Sequence, residues 1–79
     1  MKVLVVDDEP LARERMLRLL AKIVPDASLL EAGNVLQALE LVAMEQPDLL
    51  LLDIRMPGMD GLEVATGLQD LEQPPAIIF

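Results

Sequence analysis

No cysteine and no histidine occur among the 79 residues, which excludes a disulfide framework, a thiolate metal site, a cysteine nucleophile and an imidazole base or ligand. Positive charge is scarce: 6 Lys and Arg stand against 14 Asp and Glu, a net charge of −8. Such a segment repels a phosphate backbone, so nucleic acid is not its partner. Long hydrophobic runs are missing too. The opening MKVLVVDDEP carries one Lys and a short apolar run ended by acids, too little for a signal peptide, and no apolar stretch approaches the roughly 18 residues of a membrane span. A cytoplasmic chain that does not enter the membrane is expected. What remains available is carboxylate chemistry.

The length, 79 residues and 8.7 kDa, allows one small domain, below the commonest domain size of about 100 to 150 residues. Surface scaling gives roughly 4,700 Å² folded against about 12,600 Å² unfolded, so about 62% of the surface can be buried. Hydrophobic residues make up 53% before the four glycines are counted, already above the usual 45–50% that includes glycine. Apolar surface is in excess. Either the chain packs against something else or it belongs to a larger unit.

Along the chain, residues 3–6 form a β-branched apolar run closed by Asp7 and Asp8, the pattern of a strand buried on both faces. Pro10 suits the first turn of a helix, with Asp8 and Glu9 at the positive end of its dipole. The helix is expected to run to about Ile23, with Ala12, Met16, Leu19, Leu20 and Ile23 on its inward side. Glu14, Arg15, Arg18 and Lys22 fall opposite, on a solvated face. Pro25-Asp26 breaks this helix, and residues 27–32 read as a weaker strand ending at Gly33. Asn34 caps a second helix through about Gln46, with Val35, Ala38, Leu39 and Val42 inward. After Pro47, Asp48 opens the run LLLL, which Asp53 closes; the absence of polar alternation suits a central parallel strand. Residues 54–61 (IRMPGMDG) are turn-rich, Leu62, Ala65 and Leu68 give a third helical stripe, and residues 76–79 (AIIF) read as a fourth strand. The alternation βαβαβαβ implies a doubly wound α/β fold on a parallel sheet. The five Met residues are gap fillers rather than a metal patch.

Ligands of such sheets gather outside the carboxyl ends of the strands, where the strand order reverses. Asp7 and Asp8 end one strand and Asp53 another, so neighbouring strands would bring three like charges into one crevice. Repulsion would raise at least one pKa unless a hard divalent cation neutralises the cluster, and oxygen donors suit Mg²⁺ or Mn²⁺. A cation there also draws in a phosphoryl group, towards which a carboxylate can act as nucleophile. A structural reading stands beside this one: Asp7 and Asp8 can terminate a strand and favour a helix start, and Asp53 can cap a turn. Asp48 and Asp60 begin a strand and make a turn, while Glu9 and Glu63 face water.

The segments VVDDEP and LLDIRMPGMDGLEV resemble the receiver domain of two-component response regulators, and DDEPLARERM is similar to the AlgR/LytTR-type subgroup of transcriptional regulators. The likeness spans the whole chain. It implies a flavodoxin-like (CheY-like) sheet, of which residues 1–79 would be the amino-terminal part, lacking the last strand and the last two helices. It implies that Asp53 is the phosphoacceptor and that Mg²⁺ (Mn²⁺ possible) is held by Asp8, by Asp53, by the backbone carbonyl of Arg55 and, through water, by Asp7. Met56-Pro57-Gly58 and Gly61 resemble the family's loop after the acceptor. The partner implied is a sensor histidine kinase whose phospho-His supplies the phosphoryl group. DNA is reached only through an output domain that is not in this sequence. The family's sensing hydroxyl and Lys, at the ends of the fourth and fifth strands, have no counterpart here, and an open fourth strand favours self-association or a domain swap.

Two other readings differ in class. A Mg²⁺-dependent phosphohydrolase would want a second acid two residues after its nucleophile, where Arg55 stands, so the expectation is a signalling domain rather than an enzyme. A phosphorylation-independent interaction module is the alternative for the chain as given, where the sensing hydroxyl and Lys have no counterpart; the set Asp7, Asp8 and Asp53 speaks against it for a longer parent protein.

Overall fold

The computed structural model describes residues 1–52 and 75–78. Its elements are β1 (Lys2–Val6), α1 (Pro10–Ile23), β2 (Ser28–Ala32), α2 (Val35–Glu45), β3 (Leu49–Leu52) and β4 (Ala76–Ile78). The expected third helical stripe at Leu62, Ala65 and Leu68, the loop 54–61 and Phe79 lie outside the described residues. The four strands form one sheet in the order β2-β1-β3-β4, and every pairing is parallel. The expected α/β sheet is therefore present, and the chain reverses direction across it after β2: α1 leads outward from β1 to β2, whereas α2 leads back past β1 to β3. The switch point lies at the carboxyl ends of β1 and β3, the location at which open α/β sheets take up ligands.

Strand β1 is central because its residues are apolar on both sides, and Val3, Leu4, Val5 and Val6 are all buried. The register sets Leu4 between Leu30 and Leu50, and Val6 between Ala32 and Leu52. On that face Ala38 and Val42 of α2 close the core over Leu4, Val6, Ala32, Leu50 and Leu52, with Leu30, Val35, Leu41 and Ile77 around it. Each fully buried Leu or Val side chain here contributes roughly 1.5–3 kcal/mol relative to exposure. The other face carries Val3, Val5, Leu29 and Glu31, and α1 lies on it, because its Arg13 pairs with Glu31 at 3.0 Å.

Local chemistry explains the helix limits. Glu9 is the N-cap of α1, accepting from the Leu11 N–H at 3.4 Å, and Pro10 follows as the first helical residue, where its missing N–H costs nothing. The helix ends at Val24, whose N–H donates to the Leu20 carbonyl, and Ala27 N–H donates to Val24 across Pro25-Asp26. In α2 the Asn34 side chain accepts from Gln37 N–H at 2.8 Å while the Gln37 side chain accepts from Gly33 N–H at 2.9 Å, a reciprocal capping arrangement. Gln46 leaves α2 in the left-handed region, φ 49°.

Two inward stripes differ from those expected. On α1, Met16, Leu19 and Ile23 are exposed, and Arg13, Leu17, Leu20 and Val24 are the half-buried positions, beside Ala12. The helix lies over β1 and β2, so only the side turned to those strands is covered. On α2, Leu39 is exposed and Leu41 packs on the core in its place. Strand β3 alternates buried Leu50 and Leu52 with half-buried Leu49 and Leu51.

Candidate functional site

Asp7 and Asp8 leave the end of β1 at the switch point. Three hydrogen bonds fix Asp7: its N–H donates to the Ala32 carbonyl at 3.2 Å, its carbonyl accepts from Arg13 Nη1 at 2.7 Å, and its Oδ1 accepts from Glu9 N–H at 2.9 Å. The last bond organises the turn into α1, so the structural reading of Asp7 holds, and among the described residues Oδ2 accepts no hydrogen bond. Asp8 is exposed, and its carboxylate accepts no hydrogen bond among the described residues. Among the described residues Asp8 is thus the carboxylate of the pair without a hydrogen bond, and it is the one expected to touch a cation directly.

Asp53 and Arg55 lie outside the described residues. The last described residue before them, Leu52, pairs in register with Val6, the residue before Asp7. Among the described residues no group of three or more Asp, Glu, His or Cys side chains comes together as a metal site. The donors present are carboxylate oxygens on an exposed loop, the hard, anionic ligands that Mg²⁺ and Mn²⁺ accept. Of the acids given structural roles, Asp48 precedes β3 and accepts from Lys2 N–H at 2.8 Å, and Glu9 is exposed and caps α1.

Arg13 and Gly33 were not legible as site residues. Arg13 bridges the Asp7 carbonyl and the Glu31 carboxylate at 2.7 and 3.0 Å, and a Cβ on Gly33 would meet Arg13 Nη1 at 3.1 Å. Arg13 occupies the sheet-facing stripe with Leu17, Leu20 and Val24, where a cation needs a partner. The basic positions Arg15, Arg18 and Lys22 are exposed, and Arg18 pairs with Glu14 one turn away at 2.7 Å.

Comparison with known families settles the architecture. The response regulator receiver domain matches residues 3–79. The chain belongs to the response regulator receiver family. Among curated proteins this receiver chain is 54% identical over 81 residues to the positive alginate biosynthesis regulatory protein of Pseudomonas aeruginosa. It is 40% identical over 79 residues to the transcriptional regulatory protein LytR of Staphylococcus aureus, and 38% identical to the sensory transduction protein LytT of Bacillus subtilis. These are the AlgR- and LytR-type regulators that DDEPLARERM resembles. All of this chain is covered in the match to the alginate regulator, yet it spans 32% of that protein's length, and the share is the same for LytR.

Solved structures agree. The signal receiver domain of the response regulator NarL from Mycobacterium tuberculosis superposes with a TM-score of 0.82 at 42% identity, covering 96% of this chain and 61% of that one. The MaeR response regulator bound to beryllium trifluoride gives a TM-score of 0.87 at 27% identity, over 99% of this chain and 64% of that one. The response regulator TrrA, solved in complex with histidine kinase ThkA, gives 0.81 at 37% identity, over 96% of this chain and 64% of that one. The receiver is thus a signalling domain of two-component systems. No helix among the described residues is long and apolar enough to cross a membrane.

Proposed function

We propose that this receiver takes up a phosphoryl group on Asp53 from the phospho-His of a sensor histidine kinase. The observation that supports it is the pairing of Val6 with Leu52, the residues that precede Asp7 and Asp53 in the sequence, on neighbouring parallel strands. In the transfer a carboxylate oxygen of Asp53 attacks phosphorus in line. The P–O bond of an acyl phosphate forms as the P–N bond breaks, and the departing imidazole nitrogen keeps the electron pair and takes a proton. Asp8, Asp53 and the Arg55 backbone carbonyl would hold Mg²⁺ or Mn²⁺ directly, and Asp7 through water, a role the exposed position of Asp8 permits. Bound there, the cation would offset the negative charge that gathers around the phosphoryl oxygens.

The kinase partner is supported by the complex in which the similar regulator TrrA was solved with the kinase ThkA. In a protein of the relatives' length, the phosphorylated receiver would govern a DNA-binding output segment in the cytoplasm; LytR carries the description of a transcriptional regulatory protein. Self-association or strand exchange of the 79-residue chain belongs to the same proposal, and light scattering that gives a monomer at high concentration would remove it.

The deciding experiment is intact mass before and after incubation with acetyl phosphate and Mg²⁺. One base-labile phosphoryl group is expected on the unaltered chain and none on Asp53→Asn. No addition to the unaltered chain, or addition to both, would overturn the assignment.

A further inference from the structure

We infer that Arg13 is a positioning residue for the acidic pair: by holding the Asp7 carbonyl it aims the carboxylate of Asp8. The inference rests on the cation site of the proposed function. The Asp7 carbonyl belongs to the peptide unit that joins Asp7 to Asp8, and that unit is planar. Fixing its oxygen fixes the rotation of the whole plane, and with it the direction in which the Asp8 side chain leaves the backbone. Asp8 needs this, since its own carboxylate accepts no hydrogen bond among the described residues that would orient it.

Arg13 is equipped for the task. Its Nη1 donates to the Asp7 carbonyl at 2.7 Å and its Nε to Glu31 Oε1 at 3.0 Å, two acceptors met by separate nitrogens of one rigid planar fork, which the single nitrogen of an ammonium does not offer. The Arg13 side chain is 18% exposed against 56% for Glu31, so the guanidinium is held under the loop while its counter-charge faces water. Glu31 neutralises the cation beside the acids, leaving their charge available to a metal. Gly33 supplies the room: a Cβ there would stand 3.1 Å from Nη1 and 3.8 Å from Cζ, close enough to displace the guanidinium by a few tenths of an ångström. Arg13, Glu31 and Gly33 form one device that transmits the position of β2 to the turn after β1.

The test is Mn²⁺ affinity of the unphosphorylated 79-residue chain, read from the paramagnetic resonance signal of free Mn²⁺, at a temperature where circular dichroism shows each variant folded. Arg13→Ala is expected to weaken Mn²⁺ binding about 10- to 100-fold, the range for groups that orient a metal ligand, and Arg13→Lys, with its charge kept, to restore only part of it. An affinity for Arg13→Ala equal to or above that of the unaltered chain would overturn the inference, since removal of a nearby cation by itself favours metal binding. Should Arg13→Ala be unfolded, Gly33→Ala decides: a loss of up to roughly tenfold is expected, and unchanged affinity overturns the inference. In Arg13→Lys the Gly33→Ala change is expected to have a smaller effect than in the unaltered chain, whereas equal effects would show that the two residues act independently and would likewise overturn it. Asp8→Asn separates the two proposals. Loss of Mn²⁺ binding in Asp8→Asn with none in Arg13→Ala defeats only the role of Arg13. Absence of binding in the unaltered chain, or retention in Asp8→Asn, defeats the cation site and the inference with it.

Discussion

Lys2 and Asp48 are bonded to each other twice: the Lys2 N–H donates to Asp48 Oδ2 at 2.8 Å, and the Asp48 N–H donates to the Lys2 carbonyl at 2.8 Å. This reciprocal pair starts the β1–β3 register, which ends with Val6 beside Leu52. A slip by one residue would turn every leucine of β3 to the opposite face. Asp48→Ala leaves the backbone bond and removes the side-chain acceptor, so a loss of about 0.5–1.5 kcal/mol is expected in urea unfolding. Asp48→Asn keeps an oxygen acceptor and is expected to lose less than half as much.

Leu50 is buried between the sheet and α2, whereas Met44 on α2 is exposed. Leu50→Ala is expected to cost about 2–5 kcal/mol, a large share of the stability of a small domain. Met44→Ala should fall within about 0.5 kcal/mol of the unaltered chain. Equal effects in denaturant titrations would contradict the described core.

Gln46 holds φ at 49°, where a side chain costs roughly 1–2 kcal/mol and glycine does not. Glycine gains chain entropy when unfolded, of order 0.4–1 kcal/mol, which offsets part of the relief. Gln46→Gly is therefore expected to stabilise the fold by about 0.5–1 kcal/mol, seen as a higher Tm. Gln46→Val, β-branched at the same position, is expected to lower it.

Asn34 caps α2 through its bond to Gln37 N–H, and Gln37 returns a bond to Gly33 N–H. Asn34→Ala should cost about 1 kcal/mol. Gln37→Ala should cost less, because the Gly33 N–H is free to bond water. A double variant that loses less than the sum would show the two caps to be coupled.

Most of the scaffold was readable because its signals are local. Pro10 and Pro25 bracket α1, Asn34 and Pro47 bracket α2, and LLLL between two aspartates marks β3; each depends on the chemistry of adjacent residues. Placing Asp7 and Asp8 at a strand end followed from the same signals. The turned face of α1 was not readable in this way. Met16, Leu19 and Ile23 have the same period as Leu17, Leu20 and Val24, and only the line along which the helix crosses β1 and β2 decides between the two sets. The Lys2–Asp48 pair and the Arg13–Glu31 bridge join residues far apart in sequence, so their partners are set by strand order rather than by spacing.

The strand order also has a consequence for the growing chain. β1 is synthesised first but sits between β2 and β3, so when Ala32 has emerged from the ribosome the strand has a neighbour on one edge only. Its second edge stays bare until residues 49–52 are made, and the α2 residues Ala38 and Val42 have the unfinished face of Leu4 and Val6 to lie on in the meantime. Synthesis proceeds at about 5–20 residues per second, so that interval lasts on the order of one to a few seconds, a window in which a nascent chain offers an apolar edge to chaperones or to its neighbours on the same message.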